Sequence, residues 1–190
     1  MTKLYIVAGC NGAGKTTASF TILPEILDCK EFVNADEIAR GLSPFQPEKV
    51  SFEAGRIMLQ RIQELIEEKV NFAFETTLST RSFINYIEKA KLMGYETTLL
   101  FFWLNNENLA IERVKVRVIE GGHNIPKNTI IRRYHRGLFN FFQLYKSKVD
   151  NWMFINNSGS SYQLIAKGSN QSKTIFQQAI WDKIKKDYGK

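Results

Sequence analysis

The stretch "LYIVAGCNGAGKTT", Leu4 to Thr17, decides the fold. Five β-prone apolar residues, Leu4 to Ala8, run into Gly9, and after four more residues come Gly14, Lys15 and Thr16. That is the spacing of a P-loop set between a buried strand and the first turn of a helix. Glycines at 9, 12 and 14 let the backbone turn tightly and aim several N–H groups inward, a concavity suited to a polyphosphate. A helix from Lys15 to Leu27 would add its positive N-terminal end. On this reading Gly9, Asn11, Gly12, Ala13, Gly14, Lys15, Thr16 and Thr17 cradle ATP. Lys15 would reach the β and γ phosphates, and the Thr16 hydroxyl would hold Mg2+.

Working outward, strand-like runs recur at Glu31–Asn34, Asn71–Phe74, Glu96–Leu104 and Trp152–Asn156, with helix-like stretches between them. The alternation predicts an α/β fold, a P-loop three-layer sandwich around a mostly parallel five-stranded sheet. Tyr162–Ala166 would add a small C-terminal hairpin through the turn "NNSGSS", and "KGSNQSK" reads as a polar link to a closing helix from Thr174 to Tyr188. Helices are expected over Pro47–Val70, Arg81–Met93, Asn106–Glu120 and about Pro126–Lys148, with glycines after the second and third as stops. In the last of these "LFNFFQLY" places Phe139, Phe142 and Tyr145 at helical spacing, the pattern of a core face rather than a base-stacking platform.

With 190 residues and 44% hydrophobic content, the chain suits one well-cored domain, with a cationic lid region over about 113–136. Lys and Arg number 26 against 19 acids, a net charge of +7, which favours anionic partners such as nucleotides and sugar phosphates. Cys10 and Cys29 have neither metal-ligand nor disulfide-framework spacing. With no signal segment or membrane-length apolar run, the expected setting is cytoplasmic, without a membrane partner.

In a parallel α/β sheet ligands gather beyond the carboxyl ends of the strands. Asp36, just after "EFVN", is the candidate general base for an acceptor hydroxyl, with a helix N-cap as its structural alternative. Glu75 ends the run "FAF", where P-loop proteins place an acid that reaches Mg2+ through water. Thr76, Thr77 and Ser79 offer substrate hydroxyls, although Ser79 or Thr80 could instead cap the helix at Arg81. Arg113 and Arg117 lie four apart on one helix face, a repulsive spacing that an anion between them would relieve and that water would also tolerate. Arg117, His123, Arg132 and Arg133 flank a glycine turn able to hinge, and supply cations for a transferring phosphoryl group.

The segments "GCNGAGKTT", "NADEIA", "FAFETTLS", "RVIEGGHNIP" and "DNWMFINNS" occur in the order found in zeta-toxin-like P-loop kinases, which the chain resembles over most of its length. The resemblance implies an ATP-dependent kinase with a nucleoside-kinase-like fold, acting on the sugar of UDP-N-acetylglucosamine. It implies Lys15 and Thr16 on ATP and Mg2+, Asp36 as the base, Glu75, Thr77 and Arg81 toward the acceptor, and Arg117 with His123 on the phosphoryl group. His123 stands where the larger toxins tend to have arginine, and the chain is shorter than they are. An antitoxin protein enters as a candidate partner. Other acceptors, a nucleoside, a nucleotide or an RNA end, fit the same residues, and a nucleotide-dependent RNA- or protein-binding module without transfer is the competing class.

Overall fold

The first strand, Lys3–Ala8, is buried from Leu4 onward because parallel neighbours flank it on both edges. A strand in that position packs on both faces, hence its continuous apolar run. The computed structural model describes residues 1–122 and 124–189. Among them seven strands form one sheet: β1 (Lys3–Ala8), β2 (Glu31–Val33), β3 (Phe72–Thr76), β4 (Glu96–Trp103), β5 (Asn151–Asn156), β6 (Gln163–Ser169) and β7 (Lys173–Ile175). The sheet order is β2-β3-β1-β4-β5-β6-β7. The first five strands in sheet order run parallel, and β6 and β7 are antiparallel additions.

The helices are α1 (Lys15–Thr21), α2 (Ala35–Leu42), α3 (Ser51–Glu68), α4 (Phe83–Leu92), α5 (Glu107–Ile119), α6 (Lys127–Asn140) and α7 (Gln178–Tyr188). Two of them, α1 and α6, continue as π-helical turns, Ile22–Ile26 and Phe141–Tyr145. Pro47–Val50 is a separate 3-10 turn before α3, so the long helix expected from Pro47 starts one turn later. It ends where Lys69 turns left-handed at φ 56.

The expected five-stranded sheet is corrected to seven strands. The foreseen hairpin is present as β5 and β6, but "KGSNQSK" is not a link. It closes a second hairpin, in which Ser169 Oγ accepts the Gln171 and Ser172 N–H groups at 3.2 and 3.3 Å. Two of the three β7 residues are exposed at the sheet edge, so no apolar alternation marks it.

The expected aromatic face is core only in part: Tyr145 is buried and Phe142 packs against the core, whereas Phe139 is exposed and Phe141 takes the central place. Phe141 lies 4.9 Å from Phe101 and 5.1 Å from Phe154, ring centre to ring centre, and Trp152 stacks on Trp181 of α7 at 5.4 Å. Such pairs add about 0.5–1.5 kcal/mol each beyond the area they bury. The same helix fixes the loop after β3. A Cβ on Gly137 would lie 2.6 Å from the Thr77 carbonyl oxygen, Asn140 Nδ2 donates to Leu78 O at 2.6 Å, and Tyr145 Oη donates to Thr80 O at 2.7 Å. No helix among the described residues is long and apolar enough to cross a membrane.

Candidate active site

The register of the parallel strands assembles the site. Val7 pairs with Glu75 and Ala8 with Thr76, while Val33 pairs with Phe74, so the loop after β1, Asn34 after β2 and the end of β3 emerge side by side. The loop takes the backbone its glycines permit. Gly9, Gly12 and Gly14 have φ of 142, 78 and 77, and Gly14 stands at the N-terminus of α1. A Cβ on Gly9 would collide with the carbonyl of Phe102, so no other residue fits there. Asn11, Ala13 and Lys15 are buried, and Thr17 is exposed on the outer side of the first turn.

Lys15 folds back into its own loop. Its Nζ donates to Cys10 O at 2.9 Å and faces Glu75 Oε1 at 3.3 Å, with the side chain 5% exposed. Thr16 Oγ1 donates to Glu75 Oε2 at 2.7 Å. A threonine hydroxyl that donates its proton to a carboxylate keeps lone pairs for a cation, and both are hard oxygen ligands. Mg2+ usually takes one or two protein oxygens and completes its shell with phosphates and water. Thr16 and Glu75 therefore fit Mg2+. The described residues contain no cluster of three or more His, Cys, Asp or Glu able to hold a metal by themselves. Burial pushes the Cys10 thiol up to about 11, against the pull of Lys15, so it stays protonated and shapes the loop.

The capping alternative for Asp36 is overturned. The N-cap of α2 is Asn34, whose Oδ1 accepts the Asp36 N–H at 2.8 Å. Asp36 stands in the first turn with its carboxylate exposed and uncommitted to the cap. It borders two large clefts and a smaller one of ≈ 200 Å³ beside Asn124 and Arg133. One large cleft, of ≈ 720 Å³, is shared with Thr16, Arg40, Arg117, Gly122 and Asn124. The other, of ≈ 620 Å³, is shared with Lys15, Glu75, Thr77, Arg56 and Arg133, and has Phe52, Leu59 and Phe83 in its wall.

Thr77 lies in the second cleft and its hydroxyl pairs with Ser79 at 2.8 Å. Arg81 is exposed and is not part of that lining. Neither Ser79 nor Thr80 caps α4, which starts at Phe83 after Ser82 without a side-chain cap. Arg113 and Arg117 part company: Arg113 Nη2 reaches Ser158 O at 3.4 Å, and its Cβ lies 3.3 Å from where a Cβ on Gly12 would stand. Arg117 points into the first cleft with Nε and Nη2 buried and without hydrogen-bond partners among the described residues. Buried guanidinium donors left unpaired are costly, and pairing them with an anion would take a shift of the side chain toward the cleft. His123, expected beside Arg117 on the phosphoryl group, lies outside the described residues.

Three further residues belong to the site. Arg133 spans 122 positions to donate to Asn11 Oδ1 at 3.1 Å. Burial lowers its pKa, the Asp36 charge opposes this and Arg132 adds to it. Asn157, after β5, donates to Ala13 O at 2.8 Å and leaves no room for a side chain on Gly14. Asn34 joins Glu75 at 3.0 Å. Arg133 was readable only as one of several cations near the turn. Asn34 carried the ordinary N-cap signal of an asparagine before "ADEIA", which the neighbouring acid obscured.

The Zeta toxin family model matches residues 2–168. An uncharacterized protein of Haemophilus influenzae (strain ATCC 51907 / DSM 11121 / KW20 / Rd) is 31% identical over 134 residues, 70% of this chain and 92% of that one. Among solved structures, the AvrRxo1-ORF1:-ORF2 complex with ATP superposes with a TM-score of 0.76 at 16% identity, covering 97% of this chain. The match takes in 63% of that longer chain. The PezAT toxin-antitoxin system of Streptococcus pneumoniae gives 0.67 at 14% identity, covering 98% of this chain and 86% of that one. Shikimate kinase from Acinetobacter baumannii, in complex with shikimate, gives 0.51 at 14% identity, with 97% and 92% covered. The solved structures share the fold, and the family match spans the P-loop, Asp36, Glu75 and Arg117 together. The chain belongs to the Zeta toxin family.

Proposed function

We propose that this chain transfers the γ-phosphoryl group of ATP to a hydroxyl of a small molecule, with UDP-N-acetylglucosamine as the first acceptor to test. The observation that carries the reading is the place of Asp36: its carboxylate is released from capping by Asn34 and borders both the cleft of Thr16 and Arg117 and the cleft of Lys15 and Thr77. Phosphoryl transfer needs that arrangement, because the acceptor oxygen must lie in line with the departing ADP and lose its proton as it attacks.

In this scheme Asp36 takes the proton of the acceptor hydroxyl, whose oxygen bonds to the γ phosphorus while the bond to ADP breaks. Lys15, now turned onto Cys10 O and Glu75, would swing to the β and γ phosphates of bound ATP. Arg117 and Arg133 approach from α5 and α6 and meet charge on the transferring oxygens. Thr16 and Glu75 would hold Mg2+, whose charge would offset that of the phosphates. Thr77 and the loop fixed by Gly137, Asn140 and Tyr145 present hydroxyls to the acceptor, opposite the apolar wall of Phe52, Leu59 and Phe83. Arg81, exposed beside that loop, is proposed as an outer acceptor contact. His123 is proposed as a further cation for the phosphoryl group.

Likeness to the PezAT system supports an antitoxin as a protein partner, and the two free, buried cysteines support a reducing, cytoplasmic setting. The test is incubation with Mg2+ and ATP against UDP-sugars, nucleosides and RNA 5′ ends, with mass spectrometry for an added phosphate and a coupled assay for ADP. An acceptor that gains phosphate supports the reading. Nucleotide binding with no acceptor-stimulated ADP release from any of them refutes it in favour of a binding module.

A further inference from the structure

The amide of Asn34 is used at both ends, and the ends serve different parts of the site. Nδ2 donates to Glu75 Oε2 at 3.0 Å and lies 3.4 Å from Thr16 Oγ1, while Oδ1 accepts the Asp36 N–H at 2.8 Å. The residue is 5% exposed, so water does not substitute for these partners. Glu75 is thereby held from three sides: Lys15 on Oε1, and Thr16 and Asn34 on Oε2. Lys15 and Thr16 are themselves nucleotide and cation residues; Asn34 is not.

We infer that Asn34 is a positioning residue that locks the Glu75 carboxylate against Thr16 and, through the same rigid amide, sets the start of the helix carrying Asp36. The amide is planar, so its two ends cannot move independently. A displacement of Glu75 is passed to the Asp36 N–H, and the metal-side acid and the base are held in one frame. Capping alone does not call for asparagine, since serine and aspartate cap as well. What they lack is a donor for Glu75, and aspartate would set a second negative charge against it. The effect on turnover rests on the kinase reading above; the effect on metal-dependent nucleotide binding does not.

The test compares wild type with Asn34→Ser and Asn34→Asp, both of which keep a capping oxygen. Calorimetric binding of a non-hydrolysable ATP analogue is measured with Mg2+ and with EDTA, alongside thermal melting and, with an acceptor, kcat and KM. The tether predicts roughly 10-fold weaker analogue binding in Mg2+, the usual effect of losing an outer-shell partner. Binding in EDTA should stay near wild type for Asn34→Ser, which loses one buried hydrogen bond and should melt slightly lower, while Asn34→Asp, with its second charge against Glu75, should melt lower still; kcat should fall more than KM changes. Wild-type binding in Mg2+ by both variants, or an equal loss with and without Mg2+, overturns the inference and leaves Asn34 as a cap. If wild type transfers no phosphoryl group while the Mg2+ difference holds, the kinase reading alone fails.

Discussion

Replacing Arg117 with methionine should make the empty protein more stable and the enzyme slower. The residue is half-buried, with Nε and Nη2 of its guanidinium buried and unpaired among the described residues, while its stem packs against the turn at Gly122, whose N–H donates to Arg117 O at 2.8 Å. An unsatisfied buried polar group costs about 1–3 kcal/mol, and partial exposure puts Arg117 near the low end, about 1 kcal/mol. Methionine keeps the unbranched stem and the helix propensity of arginine and removes the unpaired donors. For a chain of this size about 1 kcal/mol corresponds to a rise of roughly 2–4 °C in melting temperature. Scanning fluorimetry without nucleotide reads that rise. With saturating Mg2+ and ATP the order should reverse, since a ligand stabilises in proportion to its affinity and wild type binds the phosphates better. Turnover should fall about 10³-fold, the scale of losing an arginine aimed at a transferring phosphoryl group. A variant less stable than wild type when empty would mean that Arg117 has a structural partner, and the reasoning from its unpaired donors would be wrong.

Three further outcomes follow from particular contacts. Asp36→Asn should leave ATP affinity unchanged and cut acceptor-dependent ADP release by about 10²-fold or more, and near wild-type turnover would remove Asp36 as the base. Gly137→Ala puts a Cβ 2.6 Å from the Thr77 carbonyl oxygen, so it should cost about 1–3 kcal/mol of stability in denaturant titration and raise the acceptor KM; a neutral variant would show that α6 does not set the loop. Burial opposes the charge on Asp150, but the Lys91 ammonium at 2.7 Å and the Thr97 N–H and hydroxyl outweigh it and hold its carboxyl below the usual range. A depressed pKa contributes stability above the unfolded value of about 4 and loses it as the pH falls through the lower folded value. Asp150→Asn should therefore melt below wild type at pH 7, with the gap closing in acid; a gap independent of pH would assign the loss to shape rather than charge.

Much of this protein was written locally. The P-loop is a backbone device, and glycines at fixed offsets after an apolar strand specify it without reference to the rest of the chain; the observed φ values at Gly9, Gly12 and Gly14 are what those glycines permit. Apolar runs marked the first five strands along the chain, so the placing of Asp36 and Glu75 at strand ends was legible, whereas the order β2-β3-β1-β4-β5 in the sheet was not. β7 was not, because an exposed edge strand has no apolar face to advertise it. Tertiary packing decided the rest. That Asn34 reaches Glu75, that Arg133 reaches Asn11 and Asn157 reaches Ala13, and that Arg117 is left facing a cleft while Arg113 finds a carbonyl depend on strand register and helix docking. A sequence motif records the constraints on neighbours along the chain. The meeting of side chains a hundred positions apart is fixed only once the sheet and helices have closed around them.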